Sequence, residues 1–158
     1  MKKIVFSAII VCLLFATGCT PVAEKGDYKE GTYYGYVEDS KEDVVTITSA
    51  VVYVNENGMI KSVFIDSTYN KDGKNTTKKA LGNDYGMKSS SANIGVIPGG
   101  AEWYEQVNNF EKKVIDEQGL DWLTWKDEAK TKTDSVSGVT ITVSSIYKAV
   151  DNALKQAK

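Results

Sequence analysis

The chain has 158 residues, of which 42% are hydrophobic and 25% charged, and its formal net charge is −2. Such values are typical of one soluble globular domain and argue against a disordered chain or a multi-span membrane protein. The sequence contains no histidine and no arginine. The absence of histidine excludes a Ser-His-Asp triad and a histidine metal site. The absence of arginine removes the planar guanidinium group that binds phosphates and base edges in a bidentate manner, so we do not expect nucleic acid as a partner.

The first residues predict a lipoprotein signal peptide. Two lysines precede an apolar run over residues 4–15 that is too short to span a bilayer. Three small residues then lead to Cys19, a pattern that resembles a lipobox, with Ala16 where leucine is usual. Such a signal implies that residues 1–18 are removed and that the Cys19 sulfur receives a diacylglycerol group. The alternative is an ordinary secretory signal with an incidental cysteine.

Lipidation of Cys19 predicts a protein anchored by acyl chains on the extracytoplasmic face of the cell membrane. Removal of Lys2 and Lys3 leaves 19 − 2 = 17 lysines against 21 acidic residues. The resulting charge of about −4 does not attract anionic lipid, so the acyl chains hold the protein at the bilayer. We interpret residues 19–30 as a tether and residues 31–158 as one domain.

The first part of this domain has the pattern of an antiparallel meander. Residues 32–37 interleave three tyrosines with small residues, 39–43 form a charged turn, and 44–54 are rich in β-branched side chains. Asn57-Gly58 is a strong hairpin signal because both positions of a type I′ turn need positive φ. Residues 59–65 are therefore predicted to return as the second arm.

The second part predicts two amphipathic helices. Residues 69–100 show no regular pattern, and such a segment is either functional or a surface excursion. In residues 101–118 an apolar stripe recurs at helical spacing, with Gly119 as the predicted C′ residue; the stripe consists of Trp103, Val107, Phe110 and Val114. Residues 142–157 repeat the pattern. The predicted fold class is α+β, an antiparallel sheet packed by helices.

The segment 133–142, just before the last helix, carries the chemistry. Free backbone N–H groups and the helix dipole favour an anion at a helix start. Gly138 permits close approach of a ligand, and Ser137, Thr140 and Thr142 supply hydroxyl groups. The residues alone allow a phosphate cradle, but they favour simple N-capping by serine or threonine.

Residues 134–140, Asp-Ser-Val-Ser-Gly-Val-Thr, resemble the flavinylation motif of the FMN-binding domain family. That family includes the flavin subunits of sodium-translocating quinone reductases and lipoproteins of extracellular electron transfer, which the chain resembles more closely. Residues 31–35 and 81–88 extend the resemblance. It implies that a flavin transferase uses FAD to attach FMN to Thr140 through a phosphoester. Val139 stands where the family usually has alanine. Because a β-branched side chain is larger and stiffer than alanine, the alternatives are that FMN binds without a covalent bond or that it does not bind.

The resemblance also implies roles for the neighbouring residues. Gly138 and adjacent amides would hold the phosphate, with hydrogen bonds from Ser137 and Thr142. Asp134 would repel a phosphate at short range, so we expect it to serve transferase recognition or to cap the turn. A flat wall for the flavin ring is expected from aromatic or apolar side chains, with the candidates Tyr33, Tyr85, Met87 and Trp103.

The expected function is that of an electron carrier with no substrate of its own, since the cofactor supplies the redox chemistry. Its expected partners are the transferase, membrane electron donors such as quinone-linked dehydrogenases, and the lipid bilayer. Two alternatives are a cofactor-free surface binding lipoprotein and a pheromone precursor whose message is the fragment released from residues 1–18. A hydrolase is least favoured, because the mature chain has neither histidine nor a free cysteine.

Overall fold

A computed structural model describes residues 25–41 and 44–158. The predicted signal peptide, Cys19 and the first part of the tether lie outside the described residues. The described residues form four strands and four α-helices: β1 Gly31–Lys41, β2 Val44–Val54, β3 Ile60–Lys71, β4 Lys74–Thr77, α1 Lys78–Leu81, α2 Lys88–Ile94, α3 Trp103–Asp116 and α4 Ser144–Leu154. Two short 3-10 turns, Gly82–Tyr85 and Lys155–Ala157, complete it. The predicted α+β class is confirmed.

The strands form one antiparallel sheet in the order β1-β2-β3-β4. Gly35 pairs with Ala50, which pairs in turn with Ile65, so the predicted meander is confirmed. Alternate β2 residues point inward, and Ala50, Val52 and Val54 are fully buried because side chains on a strand alternate between its two faces. The opposite face of the sheet carries exposed aromatic residues: Tyr34, Tyr36, Tyr53 and Phe64.

The hairpin turns differ from the prediction. Between β2 and β3 only Gly58 has positive φ, at 76°. Asn55 organises this connection, since its side-chain oxygen accepts from the backbone N–H groups of Asn57 and Met59 at 3.2 and 2.9 Å. A left-handed pair of the type I′ kind lies instead at Asp72 (φ 53°) and Gly73 (φ 79°), where it joins β3 to β4.

The prediction of an irregular segment over residues 69–100 is therefore wrong in part. Strand β3 runs on to Lys71, and β4, α1 and α2 all lie within this range. The Thr77 side chain caps α1 by accepting from the N–H of Ala80. At the start of α2, the Glu102 carboxylate accepts from the N–H groups of Met87 and Lys88 at 2.8 and 3.0 Å. These bonds fix the segment against the start of α3.

Helix α3 confirms the predicted apolar stripe, whose four members are all buried. It begins with a capping box formed by Glu102 and Glu105, which satisfies free N–H groups of the first turn. At its end Gln118, not Gly119, takes the left-handed conformation, with φ 55°. The Gln118 side chain explains this, because its amide bonds the backbone N–H and carbonyl of Ile60 at 2.7 and 3.0 Å.

Helix α4 confirms the second predicted helix, and with α3 it covers the inner face of the sheet. Contacts of α4 are to β1 and β2, and those of α3 are to β3. Gly35 lets α4 approach closely, since a Cβ atom there would lie 2.1 Å from the Ala149 carbonyl oxygen. The core fills the space between these layers.

Residues 25–30, the described end of the predicted tether, dock against the domain. The N–H of Gly26 donates to the Asn57 carbonyl at 2.8 Å, and the N–H of Lys29 donates to the Ala157 carbonyl at 2.7 Å. Within residues 25–41 and 44–158, no helix has the length and apolar character needed to cross a membrane.

Candidate functional site

The segment before α4 is an irregular stretch held by bonds at both ends. The Thr133 hydroxyl donates to the Thr124 carbonyl at 2.7 Å, and the N–H of Val143 donates to the Thr131 carbonyl at 2.8 Å. Apolar side chains anchor the intervening residues, and those that are buried are Val136, Val139, Ile141 and Val143. Thr140 lies between two of these anchors, so its backbone is fixed while its side chain stays half-buried.

Thr140 is bound twice by a single oxygen atom of α3. Its backbone N–H and its hydroxyl both donate to Gln106 Oε1, at 2.8 and 3.2 Å. The Gln106 side chain is fully buried, and its amide nitrogen donates to the Ala101 carbonyl at 3.2 Å. The position of the Thr140 hydroxyl is therefore set by α3 and not by α4.

Thr140 lines a small cleft of about 130 Å³. One wall is the segment 139–141, and the other is the end of α2 with the loop after it, where Ile94 is 57% and Val96 is 66% exposed. Lys126 and Lys132 also line this cleft. Thr140 thus shares this cleft with two lysines, with Asp134, which pairs with Lys126, and with two exposed apolar side chains.

The other predicted cradle residues do not join Thr140 in this cleft. Ser137 is exposed and lines a separate groove of about 410 Å³ with Asn109 and Lys112. Thr142 lines a third cavity, of about 220 Å³, with Lys78 and Trp103. The three hydroxyl groups that the sequence suggested as one cradle therefore lie on three different parts of the surface.

The helix start also differs from what the sequence suggested. Val143 is the N-cap of α4 and makes no side-chain cap bond, so the alternative of N-capping by serine or threonine is wrong here. Thr140 precedes the first helical residue, Ser144, by four positions. The dipole effect is confined to the first turn of a helix, and it therefore contributes little at Thr140.

Gly138 and Asp134 have defined surroundings in this segment. Gly138 has φ 74°, and a Cβ atom there would lie 2.7 Å from Asn109 Nδ2, so glycine suits the position. Asp134 lines the cleft but forms an ion pair with Lys126 at 2.9 Å, with both side chains largely exposed. Thr133, and not Asp134, caps the local turn by accepting from the N–H of Ser135 at 3.0 Å.

Comparison with protein families, curated proteins and solved structures finds no match for this chain. What the site can do must therefore be argued from its own residues. Within the described ranges no group of three or more acidic or cysteine side chains is placed to hold a metal ion.

The four residues predicted as the flavin wall lie outside the Thr140 cleft. Trp103 is buried beside the Thr142 cavity, with the Lys78 ammonium 5.2 Å from its ring. Burial lowers the pKa of Lys78, and nearby Asp66 offsets this in part. Tyr85 packs edge-on against Tyr69. The other two also pack elsewhere: Tyr33 donates to the Lys29 carbonyl at 2.9 Å, and Met87 packs against the core.

Sequence reasoning missed Ile94, Val96 and Gln106. Ile94 and Val96 could have been found, because they are two β-branched apolar residues in a serine- and glycine-rich segment, where polar residues are usual. Gln106 gave no such signal. It lies between Trp103 and Val107 on an apolar helix face, and its bond to Thr140 joins residues 34 positions apart.

Proposed function

We propose that this protein is a membrane-anchored, extracytoplasmic flavoprotein that carries FMN on Thr140 through a phosphoester and acts as an electron carrier. The observation that carries the proposal is the Thr140 hydroxyl, which is fixed by Gln106 at the wall of a cleft lined by Lys126 and Lys132. The motif of residues 134–140 supports it independently. Cys19 would be the lipid anchor, and quinone-linked dehydrogenases of the membrane would be the electron donors.

The attachment exchanges one phosphate ester bond for another. A bond forms between Thr140 Oγ1 and the flavin-side phosphorus of FAD, and the bond from that phosphorus to the bridging oxygen breaks. AMP leaves with the bridging oxygen, and the hydroxyl proton passes to a base of the transferase. Nothing is oxidised or reduced. The two lysines that line the cleft would suit this product by charge, and Lys126 would exchange its pairing with Asp134 for the phosphate.

The cleft is too small to enclose the whole cofactor, so the proposal depends on the covalent bond. Pockets that enclose a drug-sized ligand measure about 300–1,000 Å³, whereas the Thr140 cleft holds about 130 Å³. It has room for a phosphate, and a tricyclic ring would lie outside it, across the exposed side chains of Ile94 and Val96. So little enclosure gives weak non-covalent affinity, and an unattached cofactor would be lost by dilution outside the cell.

FMN supplies one- and two-electron transfer when bound. The residues of the chain would hold it: Thr140 by the ester, Lys126 and Lys132 by charge, and Ile94 and Val96 by apolar contact. A ring on the surface is accessible to membrane donors and to external acceptors. This geometry suits a carrier that exchanges electrons with several partners.

The test is intact-mass analysis of protein made together with a flavin transferase. We expect the wild type to gain the mass of FMN less one water and to fluoresce, and Thr140→Ala to gain nothing. Thr142→Ala is the matched control, because Thr142 is an exposed threonine of the same segment that lines another cavity; it should be modified like the wild type. A second protein that carries the motif serves as the positive control for the transferase. If the transferase modifies that protein and leaves the wild type unmodified, the proposal is wrong.

A second candidate, a cofactor-free surface binding protein, is favoured by the outer face of the sheet. There Tyr34, Val51 and Phe64 stand in register across three strands, and both aromatic rings are about half exposed. Aromatic side chains that are exposed together are typical of recognition surfaces. This candidate predicts a colourless protein without added mass, so the same measurement separates the two.

A further inference from the structure

We infer that Gln106 is the positioning residue for modification of Thr140, holding the threonine side chain in a single orientation at the wall of the cleft. This inference rests on the proposed function and names a part of the site that the motif does not contain. Its evidence is the pair of hydrogen bonds from Thr140 to Gln106 Oε1, at 2.8 Å from the backbone and 3.2 Å from the hydroxyl.

The two bonds together fix the Thr140 side chain. Threonine otherwise divides between rotamers, because its hydroxyl finds alternative partners. Here backbone and hydroxyl share one acceptor, so the O–H points inward to α3. The remaining lone pairs of Oγ1 are then directed away from Gln106, and Oγ1 needs one of them to attack a phosphorus atom.

The surroundings of Gln106 give it a single amide orientation. The side chain is fully buried, its nitrogen donates to the Ala101 carbonyl at 3.2 Å, and the Ser91 hydroxyl oxygen lies 3.5 Å from that nitrogen. Since both of these groups take the donor side, the oxygen is left for Thr140. Because the Gln106 side chain is already ordered, no conformational entropy is lost in ordering it when the reaction occurs.

Gln106 positions the nucleophile and does not activate it. An amide oxygen is too weak a base to remove the proton. The O–H must therefore rotate about the Cβ–Oγ1 bond, from Gln106 towards a base of the transferase, while the Thr140 N–H stays bonded to Gln106. In the product the ester oxygen has no proton to donate, so the 3.2 Å bond to Gln106 is lost and only the backbone bond remains. Ester formation therefore frees the modified side chain to turn outward while Thr140 stays fixed by its N–H.

The experiment measures the initial rate of FMN attachment to the full chain by time-resolved mass spectrometry, with purified transferase and FAD. Gln106→Met keeps the length of the side chain and removes its hydrogen bonds. We expect a roughly 10- to 100-fold lower rate, the range that a displacement of about 1 Å produces. We also expect faster amide hydrogen exchange at Thr140, a readout that needs no cofactor.

Two further variants keep the test decisive. Gln106→Glu, protonated by burial, retains an oxygen for Thr140 and a donor for Ala101, and it should restore most of the rate even if Gln106→Met fails to fold. Gln118→Met removes an equally bridging amide from the other end of α3 and should leave the rate unchanged.

The outcomes separate the two claims. An unmodified wild type overturns the proposed function and this inference with it. If the wild type is modified, the proposed function stands and the variants test the inference alone. The inference is overturned if folded Gln106→Met reacts at the wild-type rate, or if Gln118→Met slows as much as Gln106→Met does. It is also overturned if Gln106→Glu stays as slow as a folded Gln106→Met.

Discussion

The close approach of α4 to β1 at Gly35 makes Gly35→Ala a sharp test of the fold. A Cβ atom at residue 35 would lie 2.1 Å from the Ala149 carbonyl oxygen and 2.4 Å from the Ala153 nitrogen. Both are backbone atoms of α4, so no side-chain rotation relieves the overlap. The distance to the oxygen must increase to at least about 3.0 Å, which moves the helix by about 0.9 Å.

Two hydrogen bonds depend on the same approach. Asn152 Nδ2 donates to the Tyr36 carbonyl at 3.0 Å, and Gln156 Nε2 donates to the Tyr34 carbonyl at 2.7 Å. A shift of this size takes both bonds beyond hydrogen-bonding distance. Overpacking costs about 1–3 kcal/mol and each lost bond about 0.5–1 kcal/mol. We therefore expect Gly35→Ala to lower the free energy of unfolding by about 2–5 kcal/mol.

Urea unfolding followed by tryptophan fluorescence measures this loss. Gly73→Ala is the control, because residue 73 also sits in a β-hairpin, whereas a Cβ atom there would meet nothing within 4 Å. Its left-handed backbone, with φ 79°, makes alanine cost about 1–2 kcal/mol. If Gly35→Ala loses no more stability than Gly73→Ala, the prediction is wrong, and the backbone contact between α4 and β1 does not require glycine at residue 35.

Two other predictions concern a buried carboxyl group and the anchor. Burial raises the pKa of Glu111, and hydrogen bonds from Lys79 and the Ile65 N–H offset this in part. The contribution of Glu111 to the free energy of unfolding is thus greatest below its unfolded pKa of about 4.3. It is lost as the pH rises through the pKa of Glu111 in the folded state. The stability of wild type minus that of Glu111→Gln should fall in urea titrations as the pH rises above the unfolded pKa of about 4.3; a constant or rising difference contradicts this. Cys19→Ser should move the protein from the membrane fraction to the soluble fraction, and retention at the membrane would exclude lipidation of Cys19 as the anchor.

The helices and the central strands were predictable because their signals are local. Trp103, Val107, Phe110 and Val114 recur at helical spacing, and all four are buried. Burial of one helix face is the main source of helix stability in a protein, so the periodicity alone located α3. The same argument located α4 from its apolar stripe.

The turns were less predictable because each dipeptide signal competes with its surroundings. Asn57-Gly58 has the sequence of a type I′ turn, yet the Asn55 side chain binds the N–H groups of the loop and leaves only Gly58 left-handed. Asp72-Gly73 has an equivalent signal and does form the left-handed pair. The sequence around it does not predict a hairpin, because its lysine- and asparagine-rich residues lack the apolar alternation of a buried strand.

The residues of the Thr140 cleft were predictable only in part. The motif pointed to Thr140, but it also grouped Ser137 and Thr142 with it, and these line other cavities. Sequence adjacency failed because the segment is irregular, so neighbouring side chains have no fixed common face. The partner that orients Thr140, Gln106, is 34 residues away, and only the tertiary fold reveals it.

Both walls of the Thr140 cleft depend on the start of α3, which explains how an irregular segment can keep a defined geometry. Glu102 holds the beginning of α2 by two backbone bonds, and Ser91 on α2 accepts from the N–H of Ala101 at 3.1 Å; these place the loop with Ile94 and Val96. One turn further along α3, Gln106 holds Thr140. Because one rigid helix sets both positions, the spacing between Thr140 and the apolar wall is fixed, although neither wall belongs to the sheet.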